Sequence, residues 1–174
     1  PFKSDTTEGE LEVKLITEGQ IKTAMLEALK VANEQSTVKI GVFYMADRDI
    51  VKALKDAATR GASIQMILDP NKDAFGIEKN GIPNRQVAAE LMKEDNIEVR
   101  WYDTNGEQYH SKFLVVDYGT ETILIGGSAN FTRRNLHDYN LESNLHIKMP
   151  TTHDLSQEVH TYFDRLWTNE EGTY

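Results

Sequence analysis

Hydrophobic residues recur along the chain with two spacings, one helical and one typical of strands. In four segments every third or fourth residue is apolar, which predicts amphipathic helices at 20–33, 47–61, 83–95 or 84–95, and around 155–166. Their expected buried faces are Ile21, Ala24, Met25, Ala28, Leu29 and Ala32; Ile50, Val51, Leu54, Ala57 and Ala58; Val87, Ala88, Leu91 and Met92; and Leu155, Val159, Tyr162, Phe163 and Leu166.

Polar residues at the ends of two of these segments predict helix caps. Thr17 and Gln20 have the spacing of a capping box before the first helix. Asp47 stands where the second helix begins, and its carboxylate can accept the free amides of the first turn. Gly61 follows the same helix in the position that favours a left-handed residue.

Short apolar or alternating segments between the helices predict strands at 38–44, 64–68, 97–101, 110–116, 122–126 and 140–148. Ile97, Val99 and Trp101 alternate with polar residues, which indicates a half-buried strand. The strand–helix–strand order over 38–68 predicts a parallel pair with a right-handed crossover. We therefore expect an α/β domain in which a layered mixed sheet is flanked by helices.

The chain start and one long loop stand apart from this pattern. Residues 1–10 are polar and aperiodic, which favours a linker or disordered end before a single domain at 11–170. Residues 69–85 are rich in Pro, Gly and Asn and carry Lys72, Lys79 and Arg85. A loop of this length is often a substrate-binding lid, and a solvated excursion is an equally good interpretation.

The composition excludes several classes of protein. With 39% hydrophobic and 27% charged residues the 174-residue chain suits one globular domain and excludes a disordered or fibrous protein. Its net charge of −9 leaves no broad basic surface for non-specific binding of nucleic acid or anionic lipid, so an anion needs a local pocket. The absence of cysteine removes disulfides, thiolate metal sites and thiol nucleophiles, and is compatible with a reducing compartment.

Neither a targeting signal nor a transmembrane segment is visible, so the sequence does not indicate a location. The first residue is Pro1 rather than Met, which suggests a chain cut from a longer one. We therefore draw nothing from the lack of a signal peptide or of an apolar run of the ~20 residues needed to cross a bilayer.

Candidate catalytic residues lie in the segment 109–117. Residues two apart on a strand share a face, so His110 and Lys112 are expected to point into one site, whereas Asp117 has the opposite parity. Leu114, Val115 and Val116 leave both faces apolar, which predicts a central strand covered on both sides. A lysine buried there needs an anion or a carboxylate beside it.

Two later segments have polar residues of matching parity. Ser128 and Asn130 follow small residues that permit close backbone approach to a ligand, and Glu142 shares a face with Asn140 and Asn144. Lysine and asparagine can bind phosphate oxygens, a neutral histidine can attack or shuttle a proton, and a glutamate can fix the imidazole tautomer. Such a cluster at strand ends suits phosphoryl chemistry.

Other polar residues have simpler interpretations. His146, His153 and His160 recur every seven residues, but solvated surface histidines are favoured over a metal site because ligands on one helix usually stand one turn apart. Arg133 and Arg134 can touch substrate or form an ordinary helix end. For His110 and Lys112 the alternative to catalysis is a buried pair with a structural role.

The order His110-x-Lys112-x4-Asp117, then Gly127-Ser128-x-Asn130 and Glu142, resembles the HKD signature of the phospholipase D superfamily over about 38–167. The segment 69–84 is similar to bacterial phospholipase D-like and cardiolipin synthase-like members. The interval from Asp117 to Gly127 is a few residues longer than the commonest form of the motif, which we attribute to a longer hairpin turn. The resemblance implies one phospholipase D-like half, and the start at Pro1 favours the C-terminal half of an enzyme with two motifs.

The resemblance also implies a role for each residue of the motif. His110 is the nucleophile that forms a phosphohistidine, or the general acid that protonates the leaving oxygen. Lys112 and Asn130 bind the phosphate with help from Ser128, and Glu142 orients His110. Asp117 is structural or a second-layer partner of the site, and the mechanism needs neither a metal nor a cofactor.

The family builds one active site from two such motifs, and this chain has one. None of the other histidines begins a second motif, so the second comes from a missing part of the polypeptide or from an identical subunit. The resemblance implies a phosphodiesterase or phosphatidyltransferase of lipid metabolism that can be inactive as an isolated fragment and can make peripheral membrane contact. The net charge ranks nucleic acid below phospholipid as substrate. A nuclease of the same superfamily and a non-catalytic scaffold remain the alternatives.

Overall fold

A computed structural model describes residues 9–70, 84–104 and 107–172. Within these ranges the helices are α1 (Gly19–Lys30), α2 (Arg48–Thr59), α3 (Asn84–Leu91), α4 (Arg133–Leu136) and α5 (Asp154–Thr168). The strands are β1 (Glu12–Thr17), β2 (Thr37–Val42), β3 (Ser63–Leu68), β4 (Ile97–Trp101), β5 (Lys112–Asp117), β6 (Glu121–Gly127) and β7 (Ser143–Pro150). The predicted α/β class, a mixed sheet flanked by helices, is confirmed.

The strands form one sheet in the order β1-β7-β6-β5-β2-β3-β4. The pairs β2·β3 and β3·β4 are parallel, as predicted for the first of them, and the other neighbours are antiparallel. In consequence β2, β3 and β6 end where β5 and β7 begin. We call this edge of the sheet the site edge. It includes the end of β2 at Val42 and the start of β7 at Ser143.

The hydrophobic core is divided between the two faces of the sheet. On one face α1, α2 and α3 pack with Ile40, Met66 and Leu114 into the larger cluster. On the other, α5 packs Phe163 and Trp167 against Ile67 and Tyr109. β5 lies between β2 and β6, and helices cover both faces of the sheet, so the apolar run over 114–116 is buried. The predicted central strand is confirmed.

The predicted end signals of α2 are confirmed, and the predicted capping box of α1 is wrong. The Asp47 carboxylate accepts the amides of Asp49 and Ile50, and Gly61 adopts a φ of 96° just beyond the helix. Thr17 belongs instead to β1, where it pairs with Ser143. The residue that caps α1 is Glu18, whose side chain makes no capping hydrogen bond.

Three residues expected in the core are substantially exposed. Met92 lies beyond the last residue of α3, and Trp101 ends the edge strand β4. Tyr162 is 48% exposed because α5 turns Ser156, Phe163 and Trp167 to the sheet, a line rotated from the predicted one.

Some predicted strand boundaries also differ from the observed ones. His110 precedes β5 rather than lying in it, and Glu142 precedes β7. The edge strand β1 was not predicted. Its apolar residues Val13 and Leu15 are exposed, so the burial of this strand does not follow its hydrophobic pattern.

Candidate active site

The polar residues of the predicted site lie around the site edge. His110 and Lys112 stand at the start of β5, and Ser128 and Asn130 follow β6. Glu142 comes directly before β7. Antiparallel pairing of β5, β6 and β7 explains why residues from three parts of the sequence converge there.

His110 and Lys112 are in contact. The Lys112 Nζ atom lies 3.1 Å from His110 Nδ1 and donates to the His110 carbonyl at 2.9 Å. The lysine is 9% exposed, whereas His110 is open to solvent and its ring centre lies 4.9 Å from that of Phe43. The arrangement leaves the imidazole accessible and places the ammonium group of a buried lysine beside it.

Both groups have pKa values below their ordinary ones. Burial lowers the pKa of His110, the Lys112 charge lowers it further, and the Asp69 carboxylate opposes both effects. Burial also lowers the pKa of Lys112, while the Glu142 charge raises it. A lowered pKa keeps His110 neutral at pH 7, the state that a nucleophile requires.

Glu142 is held by the residues after β6 rather than by His110. The Ser128 hydroxyl donates a short hydrogen bond to one carboxylate oxygen, and Asn135 Nδ2 donates to the other at 2.6 Å. No hydrogen bond joins Glu142 to His110 in the described part of the chain. Glu142 therefore acts on Lys112 through its charge, and the predicted fixing of the His110 tautomer is not seen.

The two asparagines of this region hold the backbone. Asn130 Oδ1 accepts the Tyr44 amide at 3.1 Å, and Asn144 Oδ1 accepts the Ala129 amide at 3.2 Å. The small residue Gly127 lies so close to β7 that an added Cβ would stand 2.4 Å from the Ser143 carbonyl oxygen. The small residues were expected to let a ligand approach the backbone closely. At Gly127 the close neighbour is instead the strand β7.

Asp117 lies at the opposite end of β5 from His110. Its carboxylate accepts the Gly119 amide at 2.6 Å and the Thr151 hydroxyl at 3.1 Å, and one oxygen is 3.3 Å from His160 Nε2. These contacts link the β5–β6 turn to α5. They correspond to the structural alternative for Asp117 and leave it outside the site.

The other histidines have different surroundings. His153 caps α5 by accepting the Leu155 amide. The prediction of a solvated surface is wrong for His160, whose side chain is only 17% exposed and lies beside Asp117. His137 contacts Asp47 in a cluster with Asp49 that has the composition of a cation site. The Lys22 ammonium lies within that cluster, 2.6 Å from His137 Nε2, and takes the place that a metal cation would have there.

Basic residues predicted to touch substrate lie in two places. Arg133 and Arg134 are exposed on α4 and line an open hollow of about 580 Å³ with Tyr139. Arg85 is exposed on α3, whereas Lys72 and Lys79 lie outside the described residues.

No helix in the described ranges has both the length and the apolar character needed to span a membrane.

Sequence reasoning missed Asp69 as a residue of this site. It follows β3 at the site edge and is fully buried, and its carboxylate accepts the amide of Tyr109, the residue before His110. Asn84 Nδ2 donates to the carbonyl of Asp69 and to that of Phe43, which ties the ends of β2 and β3 together. A lone acidic residue after an apolar strand was the available signal.

The family model described as cardiolipin synthase, PLD-like domain, matches residues 25–167. NucT from Helicobacter pylori is 22% identical with a TM-score of 0.70, covering 91% of this chain and 97% of its own. Nuc from Salmonella typhimurium, a phospholipase D family member, is 20% identical with a TM-score of 0.71, covering 91% and 95%. The phosphatidylserine synthase of Haemophilus influenzae is 15% identical with a TM-score of 0.67, covering 94% of this chain and 40% of its own. No curated protein is significantly similar in sequence.

Proposed function

Because the chain belongs to the family of cardiolipin synthase, PLD-like domains, we propose that it cleaves or exchanges phosphodiester bonds through a phosphohistidine at His110. The observation that carries the proposal is the pairing of an exposed imidazole with a buried ammonium group at the site edge. Among the described residues no carboxylate hydrogen-bonds to the Lys112 ammonium, so a bound phosphate would supply the anion that a buried lysine needs.

The first step forms a bond between His110 Nε2 and phosphorus and breaks the bond from phosphorus to the leaving oxygen. The second motif's histidine gives that oxygen a proton. In the second step the oxygen of water or an alcohol attacks phosphorus, gives its proton to the same histidine and releases His110. The result is hydrolysis or transphosphatidylation, according to the acceptor.

Lys112 prepares His110 for attack by moving to the substrate. In the free site its ammonium donates to Nδ1, which leaves the proton of a neutral ring on Nε2. When the phosphate oxygens take the ammonium, Nδ1 can hold the proton and Nε2 has a free lone pair. Substrate binding and activation of the nucleophile are thereby coupled. Ser128 and Asn130 are the further phosphate ligands that the motif suggests.

We propose a phospholipid as the substrate. Leu141, beside Glu142, is 90% exposed, and Leu145 and Tyr162 are also exposed nearby on β7 and α5. Apolar side chains around a phosphate site suit acyl chains or a membrane surface. The net charge of −9 opposes extended contacts with a nucleic acid backbone.

The hollow at Arg133, Arg134 and Tyr139 supports nuclease activity as a second candidate function. Two guanidinium groups beside an exposed ring can bind a phosphate and stack a base. Assays with phosphatidylglycerol vesicles and with single- and double-stranded DNA separate the two. Cleavage of DNA without turnover of lipid would overturn the phospholipid proposal.

A second motif completes the site in this proposal, from another subunit or from another part of a longer polypeptide. The likeness to NucT and Nuc over nearly their whole length supports the first arrangement. The likeness to less than half of the synthase supports the second.

Substitution of the nucleophile tests the proposed chemistry. We expect His110→Ala to abolish turnover of a phosphodiester substrate in the assembled enzyme. His153→Ala, which removes a helix cap far from the site edge, is the matched control and retains turnover. Full activity of His110→Ala would refute the assignment.

A further inference from the structure

The backbone around His110 is fixed from outside the HKD motif. Tyr109 is buried, its ring stacks on Tyr102 with centres 4.8 Å apart, and its amide donates to Asp69 Oδ2 at 2.8 Å. On the other side of His110, the Ser111 carbonyl accepts the Phe43 amide at 2.9 Å. His110 thus stands between two anchored residues, although it lies outside the strand.

The carboxylate that acts on His110 is Asp69. Among the described residues, the charged groups around the imidazole are Lys112 from β5 and Asp69 from the end of β3; Glu142, before β7, faces Lys112. Directly after β2, the Phe43 ring lies against the imidazole and stacks on the Tyr44 ring. Ser128 and Asn135 occupy the Glu142 oxygens.

We propose that Asp69 is a positioning residue for His110: its buried carboxylate accepts the amide of the preceding residue, Tyr109, and its negative charge acts on the imidazole. The inference rests on the proposed function, because it assigns Asp69 the support of the nucleophile. It explains why an acidic side chain is buried at the end of an apolar strand. A buried carboxylate is costly unless it is hydrogen-bonded, and the Tyr109 amide provides one such bond.

Two substitutions separate the parts of this role. Asp69→Asn keeps an oxygen that can accept the Tyr109 amide but removes the charge, whereas Asp69→Ala removes both. Ser156→Ala is the matched control, because it deletes a buried hydroxyl bonded to Thr122 away from the site edge. Unfolding midpoints show which variants remain folded.

The decisive readout is the titration of His110, followed by NMR on ring-labelled histidine and assigned with His110→Ala. Because a nearby carboxylate favours the imidazolium, we expect Asp69→Asn to lower the pKa of His110 below that of the parent, and Ser156→Ala to leave it unchanged. We also expect Asp69→Ala to lower kcat roughly 10- to 100-fold, as misplacement of a reacting group does, and Asp69→Asn to restore part of the loss.

Titration needs no turnover, so the two proposals can fail separately. A lowered His110 pKa in Asp69→Asn supports the inference even if no phosphodiester is cleaved. An unchanged His110 pKa in a folded Asp69→Asn variant would overturn it, as would equal kcat values for Asp69→Ala and the parent. A loss of turnover in Asp69→Ala that is matched by an equal loss of folded protein would also overturn it, because it would assign Asp69 to folding alone.

Discussion

His110 and Lys112 show how much of a site two residues at fixed spacing can reveal. Their shared strand parity predicts that they meet, and the structure places the ammonium 3.1 Å from the imidazole. Parity also predicts that Asp117 is separate from them; in the structure the length of β5 separates it, because Asp117 lies at the other end of the strand. The partners of Glu142 and the contribution of Asp69 could not be predicted, because both depend on tertiary contacts that the spacing of residues in the sequence does not specify.

At the residue scale we predict that replacing Lys112 with an uncharged residue raises the pKa of His110 and lowers turnover. The Lys112 charge holds the pKa of His110 down, so Lys112→Met should raise it while turnover falls at least 100-fold with the loss of a phosphate ligand. NMR titration and steady-state kinetics measure the two effects. Lys148→Met, at the far end of β7, is the control. A His110 pKa that stays the same or falls would contradict the assigned contact.

At the scale of elements, periodicity located the helices and most strands, but tertiary contacts set their limits. The cap of α2 was predictable because Asp47 bonds to amides two and three residues away. The start of α1 was not, because Thr17 is drawn into a strand by Ser143, far along the chain. The buried face of α5 likewise depends on how its side chains pack against the sheet.

Close packing between β6 and β7 predicts contrasting effects of two neighbouring glycines. A Cβ at Gly127 meets backbone at 2.4 Å, whereas one at Gly126 comes no closer than 3.3 Å to the Phe113 side chain. We expect Gly127→Ala to lower the free energy of unfolding by about 2–4 kcal/mol and Gly126→Ala by less than about 1 kcal/mol. Urea unfolding measures both; equal losses would show that β7 moves aside easily.

The contact of α5 with β5 predicts a loss of stability in acid. Burial and the Lys39 charge lower the pKa of His160, and the Asp117 charge only partly opposes this. The unfolded chain therefore binds more protons as the pH falls below ~6.5, and the stability present above that pH is lost as the pH approaches the folded pKa.

Unfolding free energies across that range test the role of His160. His160→Gln should lose less stability between pH ~7.5 and pH ~5 than the parent, because the substituted side chain does not titrate. Some loss remains, because the pKa values of His110 and His146 are lowered too. Identical acid profiles for parent and variant would refute the role of His160.

At the scale of the whole molecule, the fold class followed from the order of the elements, and the observed sheet and the similar solved structures confirm it. The chain carries one HKD motif, so the source of the second decides how the active site is assembled. If the second motif comes from an identical subunit, mixing the parent with excess His110→Ala protein under subunit exchange lowers the activity per parent chain. Constant activity per parent chain would favour a second motif within a longer polypeptide.

The central claim is a covalent bond between phosphorus and His110 during turnover. The most direct test is rapid quenching of the assembled enzyme with a phosphodiester substrate, followed by mass spectrometry of the peptide that contains His110. We predict a substrate-derived phosphoryl group on His110, absent in His110→Ala and stable to base but not to acid. An active enzyme in which His110 never carries phosphorus, or in which another residue does, would contradict the account.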